Sequence, residues 1–317
     1  MTLVLTVNPG SSGLRLHLVQ SERNRIVAAC TTEHRAGGSA VGRVLKNLLA
    51  RTKQRVDAVG HRLVHGGPHL RTPTVVTDDA IERTGETAEG RRPVTLELLD
   101  IVRTQLPDVP HVLCPDSAFH ATLAESSAIY AIPAERREDF GLCRYGSHGL
   151  SYTWAADRAA LLLGKPSNTL NLLLAHLGGV DCSVCAVRAG RSVDTSSGLY
   201  DRSGAPAVFT RRISQGLAAM AVNLSSLDAL VFTGEIGWDR PEVRQAVCLD
   251  LTRLGVPAVL PGNDPELDSM ISSPYAPVPV LAVQPREELQ IASEVRKTLV
   301  RGRAGHEGSP RVTVRGS

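Results

Sequence analysis

The sequence has few aromatic residues, few lysines and no long apolar run. Aromatic residues make up 3% of the 317 residues, and only four of the 35 basic residues are lysines. The formal net charge is +3, and the basic residues are scattered along the chain. Proteins that bind nucleic acids usually concentrate basic residues and stacking aromatics on one face. The composition therefore argues against a nucleic-acid partner.

No apolar segment approaches the roughly 20 residues that an α-helix needs to cross a bilayer. The first residues enter a strand-like pattern directly, without the basic and apolar segments of a secretory leader. We therefore expect a cytoplasmic protein that makes no contact with a membrane.

The six cysteines are dispersed along the chain, and only Cys182 and Cys185 form a Cys-x-x-Cys pair. A tetrahedral zinc site needs a second pair of ligands, and none has suitable spacing. On a β-strand, the two side chains would also face opposite sides. We expect buried structural thiols.

The length of the chain predicts about two globular domains. Residues 1–150 alternate strand-like patterns with helical patterns, notably over residues 94–105, which indicates an α/β domain. A helix over residues 152–163 opens a second lobe that extends to residue 300 and contains another helix over residues 218–224. Residues 301–317 lack periodicity and are expected to form a disordered tail.

Two strand–turn–strand units, one in each half of the chain, indicate phosphate binding. Residues 8–13 (Asn-Pro-Gly-Ser-Ser-Gly) separate two Val/Leu-rich runs, and residues 176–179 (His-Leu-Gly-Gly) follow another such run. Glycine-rich turns allow backbone N–H groups to approach an anion closely. An ordinary polar turn is the alternative for the first unit. Two such units in separate halves favour a bilobal protein that holds a polyphosphate between its lobes.

Polar residues at the ends of predicted strands are candidate ligand contacts, because ligands of α/β proteins collect there. The amide oxygen of Asn8 could face a metal ion. Arg62 could offer its planar guanidinium to a carboxylate or a phosphate, or have a structural role. Asp116 could orient a ligand, pair with an arginine or cap a helix.

Two histidines and one further turn extend this set. His148 lies directly before a helix, at the boundary between the two halves. His176 ends a strand before Gly178 and Gly179, where an imidazole and the backbone could approach a phosphate together. Residues 232–237 (Phe-Thr-Gly-Glu-Ile-Gly) indicate a turn on the nucleotide side.

In this order, these segments resemble the acetate kinase family of carboxylate phosphotransferases, within the actin/sugar kinase/Hsp70 superfamily. The resemblance extends from residue 3 to about residue 300. It is carried by residues 8–12, 60–67, 116–120, 144–149, 176–178, 193–196, 227–233 and 287–292. It implies an α/β fold, namely a two-lobed actin-like ATPase fold of the ribonuclease H-like type, here with a truncated second lobe.

The resemblance also implies roles for residues on the acyl side. Asp116 corresponds to the family's catalytic acid, and His148 to the histidine that stabilises the transferring phosphoryl group. Arg62 corresponds to the clamp on the substrate carboxylate, and Asn8 and Glu287 are Mg²⁺-side residues. Transfer of a phosphoryl group to a carboxylate depends on positioning and charge neutralisation more than on covalent catalysis.

On the nucleotide side, Arg15 stands where the family has a lysine. His176, Gly178 and Gly179 match the loop that binds the nucleotide phosphates, and Gly237 matches a later glycine turn. The implied reaction is the reversible transfer of the γ-phosphoryl group of ATP, with Mg²⁺, to acetate or another short carboxylate. The product is an acyl phosphate.

The sequence departs from the family pattern mainly in its second half. Only 34 positions separate Asp194 from Asp228, far fewer than in the family. The shortened interval normally carries a catalytic arginine in a Thr-Arg-Ser-Gly-Asp motif, of which Arg202 is a candidate remnant. Val180 replaces a glycine of the phosphate loop, and Tyr152 replaces the second histidine of a His-Gly-x-x-His motif.

Two functions therefore remain open. One is the phosphotransferase, with ATP or another phosphoryl donor. The other is a catalytically weakened relative that binds a small carboxylate or phosphate as a sensor. The retained acyl-side residues favour the enzyme. Family members form homodimers through the second lobe, so a homodimer is implied, and the shortened lobe leaves the oligomeric state open.

Overall fold

Two mixed β-sheets form the framework of the molecule, and in each sheet a hairpin is followed by two strands parallel to its first strand. The computed structural model describes residues 2–307 apart from 11–12, 34–37, 53, 85–91, 140–141, 197–199, 202–205 and 260–263. The first sheet comes from the first half of the chain and the second sheet from the other half. The architecture is the two-lobed α/β fold that the resemblance implies.

The first sheet has the strand order β3-β2-β1-β4-β6-β5. Strand β1 is antiparallel to β2 and parallel to β4, which is parallel to β6. The strands are β1 (Leu3–Gly10), β2 (Gly13–Gln20), β3 (Arg25–Thr32), β4 (Ala58–Leu63), β5 (Thr74–Val75) and β6 (His111–Pro115). The first predicted hairpin is thus present, although residues 11–12 of its loop lie outside the described residues.

The second sheet has the order β10-β8-β7-β11-β13-β12, and β9 also pairs with β8. Strand β7 is antiparallel to β8 and parallel to β11, which is parallel to β13. The strands are β7 (Asn171–Leu177), β8 (Asp181–Arg188), β9 (Arg191–Thr195), β10 (Tyr200–Asp201), β11 (Ala229–Thr233), β12 (Ser269–Met270) and β13 (Val280–Ala282). The second half therefore repeats the pattern of a hairpin followed by two parallel strands.

Helices cover both faces of both sheets, which explains why the central strands are continuous apolar runs. Helices α1 and α3 pack on one face of the first sheet, and α6 and α7 pack on opposite faces of the second. The helices are α1 (Gly38–Ala50), α2 (Asp78–Thr84), α3 (Val94–Gln105), α4 (Glu125–Ala128), α5 (Ala134–Asp139), α6 (Gly149–Leu163), α7 (Pro206–Ala221), α8 (Gly234–Asp239), α9 (Pro241–Asp250) and α10 (Glu287–Glu307).

Helix α10 follows a strand of the second sheet but packs on the other face of the first sheet. Its residues Ile291 and Val295 lie directly over Gly60 of β4. A Cβ atom on Gly60 would lie 2.5 Å from Cγ2 of Ile291 and 2.6 Å from Cγ2 of Val295. The glycine is therefore needed for this close approach, which places the first residue of α10, Glu287, at the edge of the first sheet.

Four details differ from the sequence predictions. Helix α6 begins three residues earlier than predicted, and α7 spans Pro206–Ala221 instead of residues 218–224. Residues 234–239 form α8, so Gly237 lies within a short helix and not in a turn. Helix α10 continues through Glu307, past residue 301, because extending an anchored helix costs little compared with starting one. Residues 308–317 lie outside the described residues.

All six cysteines are free thiols. Cys182 and Cys185 lie in the cores on opposite faces of the second sheet, as the alternation of a strand requires. Among the residues that the structure describes, no helix is long and apolar enough to cross a membrane.

Candidate active site

Four predicted site residues meet at one edge of the first sheet. Asn8 lies near the end of β1, Arg62 near the end of β4, and Asp116 directly after β6. Because β1, β4 and β6 are parallel, their carboxyl ends lie side by side at this edge. Glu287, the first residue of α10, joins them.

Arg62 is the centre of this cluster and is buried, with a relative exposure of 7%. Its Nε and Nη2 atoms lie 2.8 Å and 2.7 Å from Oδ2 of Asp116. Its Nη1 donates to Oδ1 of Asn8 at 3.2 Å and lies 3.6 Å from Oε2 of Glu287. Burial opposes the charge of the guanidinium, but the carboxylates of Asp116 and Glu287 outweigh burial and raise the pKa of Arg62. The cation is therefore permanent and fixed in orientation.

Glu287 links this cluster to the first hairpin. Its Oε2 accepts from Nδ2 of Asn8 at 2.9 Å and from Nη2 of Arg15 at 3.2 Å. Burial alone would favour the protonated acid, but Arg62 and Arg15 prevail and lower the pKa of Glu287 to about 2. Arg15 lies over Gly10, where a Cβ would be 3.0 Å from its Nη2, and its side chain is one-third exposed. The hairpin thus presents a partly exposed cation next to a buried carboxylate.

Asp116 also connects the edge of the sheet to α6. Its second oxygen, Oδ1, accepts from the backbone N–H of Leu150 at 3.2 Å. The start of α6 lies so close that a Cβ on Gly149 would be 1.8 Å from the carbonyl oxygen of Asp116. His148, the preceding residue, has a positive φ of 57°. This turn brings its imidazole to the second sheet.

His148 and His176 stack on each other between the two sheets. Their ring centroids lie 4.0 Å apart with an interplanar angle of 14°. Nδ1 of His148 lies 2.8 Å from Oγ of Ser183, and Nδ1 of His176 lies 2.8 Å from Oγ of Ser151. Burial lowers the pKa of both rings, most strongly that of His176. Both imidazoles are therefore neutral at pH 7.

The turn between β7 and β8 is tight. The N–H of Gly178 donates to the carbonyl oxygen of Asp181 at 3.1 Å, and a Cβ on Gly178 would lie 2.6 Å from that oxygen. Gly179 and Val180 form the tip of the turn, and Val180 is 65% exposed. The Val180 side chain thus points outward, and Gly178 carries the close backbone contact.

The sequence predicted His148 and His176 as site residues, but it did not predict the residues that hold them. Ser151, Ser183 and Asp181 had no motif to mark them, since their contacts depend on how α6 docks onto β7 and β8. Alternation along β8 could have placed Asp181 and Ser183 on one face. Arg202 lies outside the described residues. Among those described, no group of three His, Cys, Asp or Glu side chains could by itself hold a metal ion.

His120 supports the segment that carries His148, and it predicts a pH dependence of stability. Its Nε2 donates to the carbonyl oxygen of Ser147 at 2.9 Å, and its Nδ1 accepts from Oγ of Ser192 at 2.8 Å. Burial lowers its pKa from 6.5 to about 4. The unfolded chain therefore binds a proton that the folded protein excludes, so the stabilisation is complete above about pH 6.5 and is lost as the pH falls towards 4.

We expect this histidine to contribute about 2 kcal/mol to the fall in unfolding free energy between pH 7 and pH 5. Urea unfolding of the His120→Gln variant at several pH values measures this, because the slope with pH becomes smaller even if the variant is less stable throughout. His69→Gln, at an exposed histidine, is the control and should keep the original slope. Equal slopes for the two variants would contradict the assignment.

Comparisons with known proteins agree with this architecture. The model of the acetokinase family matches residues 10–204 and residues 200–293. The acetate kinase of Clavibacter michiganensis is 30% identical over 395 positions, covering 93% of this chain and 98% of that protein. These positions outnumber the 317 residues of this chain, so the relative has segments that this chain lacks. The two matches of the family model meet at residues 200–204, within the interval where the sequence predicts the shortening.

Two solved structures share the fold. The acetate kinase of Porphyromonas gingivalis superimposes with a TM-score of 0.82 at 22% identity, covering 94% of this chain and all of that one. A propionate kinase from Francisella tularensis gives a TM-score of 0.81 at 24% identity, covering 93% of this chain and 99% of that one. The chain belongs to the acetokinase family.

Proposed function

We propose that this protein reversibly transfers the γ-phosphoryl group of ATP, with Mg²⁺, to the carboxylate of acetate or another short carboxylic acid. The products are an acyl phosphate and ADP. The relatives include enzymes named for acetate and for propionate, so the proposal covers short unbranched acids as a class.

The observation that carries the proposal is the buried, oriented cation of Arg62. A guanidinium has five N–H donors, and Asp116 and Asn8 account for three of its hydrogen-bonded contacts. The guanidinium can therefore receive the carboxylate of the acceptor while Asp116 keeps it in place. A planar fork suits a carboxylate better than a point charge does.

The donor set around Glu287 fits Mg²⁺ in the form that phosphoryl-transfer enzymes use. Magnesium retains several waters and takes one or two protein carboxylates together with substrate phosphates. Glu287 supplies an ionised carboxylate, and its pKa of about 2 keeps it charged at neutral pH. The amide oxygen of Asn8 already accepts from Arg62. We therefore assign Glu287 as the direct ligand and Asn8 as the residue that orients it.

The remaining site residues suit the binding of ATP, the phosphoryl donor. Arg15 can neutralise a phosphate next to Glu287, and His176, Gly178 and Gly179 lie on the opposite hairpin, with Gly237 in α8 behind them. In the transfer, an oxygen of the acceptor carboxylate bonds to the γ-phosphorus as the bond to the bridging oxygen breaks, and that electron pair leaves with ADP. No proton is needed, so the residues act by alignment and charge neutralisation.

In this proposal Arg62 aligns the acceptor, and Asp116 fixes Arg62. His148 donates a hydrogen bond to the transferring phosphoryl group. Magnesium, when bound, would neutralise the phosphate oxygens. Residues 1–150 supply the acceptor side, residues 151–300 supply the nucleotide side and Glu287, and Arg202 remains a candidate for the family's catalytic arginine.

A hydroxamate assay tests this function. The purified protein is incubated with Mg-ATP and acetate, propionate or butyrate, and hydroxylamine traps any acyl phosphate. We expect product from ATP with at least one acid, and none when ATP is left out. Product formed when pyrophosphate replaces ATP would identify pyrophosphate as a phosphoryl donor. If folded protein gives no product from ATP with any of these acids, the proposal is wrong. Calorimetric binding of a carboxylate without nucleotide would then favour the sensor function.

A further inference from the structure

The imidazole of His148 is held at both of its nitrogen atoms by one strand. Its Nδ1 lies 2.8 Å from Oγ of Ser183, and its Nε2 lies 3.7 Å from Oδ2 of Asp181. Asp181 and Ser183 are two residues apart on β8, so both side chains project from the same face of the strand. A single strand therefore controls both the position and the tilt of the ring.

Ser183 has a second hydrogen-bond partner, which allows one direction for both of its hydrogen bonds. The hydroxyl of Tyr152 lies 2.7 Å from Oγ of Ser183, and Tyr152 is fully buried. Burial raises the pKa of Tyr152 well above its ordinary value, so the phenol keeps its proton. With Tyr152 donating to Ser183, the single proton of Ser183 is available for Nδ1 of His148.

The surroundings of both ring nitrogens agree with this direction. The hydroxyl of Ser147 lies 3.4 Å from Nδ1, so a second donor faces the same atom. A carboxylate faces Nε2, and a lone pair there would be repelled by Oδ2 of Asp181. A proton on Nε2 is attracted to that carboxylate instead. Both ends of the ring therefore favour the tautomer with hydrogen on Nε2.

The carboxylate of Asp181 is partly exposed, so it can turn towards solvent while the backbone stays in place. Asp181 is the first residue of β8, directly after the turn at Gly178, and its side chain is 49% exposed. A phosphoryl oxygen that approached Nε2 would displace the carboxylate towards solvent. The N–H that faces Asp181 in the free protein would then point at the phosphoryl group.

We propose that Tyr152, Ser183 and Asp181 are positioning residues that hold His148 in the Nε2–H tautomer and aim this N–H at the transferring phosphoryl group. The role in transfer rests on the function proposed above. The tautomer itself is a property of the free protein.

Nitrogen-15 NMR of histidine-labelled protein tests the tautomer without any substrate. The His148 signals are assigned by their loss in the His148→Gln variant. We expect protonated Nε2 and unprotonated Nδ1 in the unaltered protein. Ser183→Ala and Tyr152→Phe should produce a mixture of both tautomers, whereas Tyr275→Phe, at a tyrosine that is 93% exposed, should not. A proton on Nδ1 in the unaltered protein, or no change in Ser183→Ala, would overturn the inference.

Kinetics with Mg-ATP and an accepted acid test the effect on transfer. We expect Asp181→Asn to lower kcat about tenfold or more with little change in KM, and Asp181→Glu to recover part of that loss. Asp108→Asn, at an exposed aspartate, is the matched control and should behave like the unaltered protein. An active enzyme with the same kcat in Asp181→Asn would overturn the role of Asp181. If the unaltered protein forms no acyl phosphate, the proposed function fails, and the NMR result alone decides the tautomer.

Discussion

Replacing Arg62 by alanine is expected to lower kcat/KM for the acceptor acid by at least about 10³-fold. Loss of one preorganised donor in an active site costs about 10²- to 10³-fold, and this change removes a buried cation with several donors. Stability should fall as well, by about 3 to 5 kcal/mol, because Asp116 would keep a buried charge without its partner. The hydroxamate assay and urea unfolding measure the two effects.

Three variants separate these effects. Arg62→Lys keeps the charge but loses the planar fork, so we expect a smaller loss of stability than in Arg62→Ala, together with low activity. Combining Arg62→Ala with Asp116→Asn should recover part of the stability, since no buried charge is left unpaired. Arg92→Ala breaks an exposed ion pair with Asp100 and should leave activity and stability nearly unchanged. Activity within tenfold of the unaltered protein in Arg62→Ala would refute its role as the acceptor clamp.

Replacing Gly149 by alanine is expected to destabilise the protein by about 3 kcal/mol or more. The new Cβ would lie 1.8 Å from the carbonyl oxygen of Asp116 and 2.8 Å from Cβ of Phe119. Backbone atoms cannot yield as a flexible side chain can, so the start of α6 must move away from β6. That movement separates Asp116 from Leu150 and shifts His148. The urea concentration at the midpoint of unfolding and kcat should therefore both decrease.

The matched control is Gly302→Ala in α10. Apart from its chain neighbours and the backbone of its own helix, no described atom lies within 4 Å of a Cβ at that position, and the residue is exposed. Alanine has the higher helix propensity, so this variant should be equally stable or up to about 1 kcal/mol more stable. If Gly149→Ala unfolds at the same urea concentration as the unaltered protein, the close contact between α6 and Asp116 is wrong.

Strong local patterns in the sequence predicted much of the fold. Helix α3 was predicted at its observed bounds, because its apolar residues recur with helical spacing after Pro93. The two hairpins and the strand of Arg62 were predicted from Val/Leu-rich runs next to glycines. The fold of the whole chain came from the resemblance, since no local pattern specifies the order of strands in two sheets.

The predictions failed where tertiary packing decides the outcome. In α7, Phe209, Ile213, Leu217 and Met220 recur with helical spacing and pack in the core, but polar residues between them hide the pattern. Gly237 belongs to a helix of six residues, which is too short to show periodicity. The contacts of Asp181 and Ser183 with His148 join residues that are more than 30 positions apart.

The path of α10 has a consequence for the synthesis of the protein. The face of the first sheet that carries Val4, Ala58 and Val112 is covered by Ile291 and Val295, which the ribosome adds more than 170 residues after the last strand of that sheet. At typical elongation rates the uncovered sheet would wait on the order of 10 s for this helix. During that time the nascent chain would present an apolar surface to chaperones. Arg62 would also lack Glu287, so a truncated translation product could not assemble the candidate site.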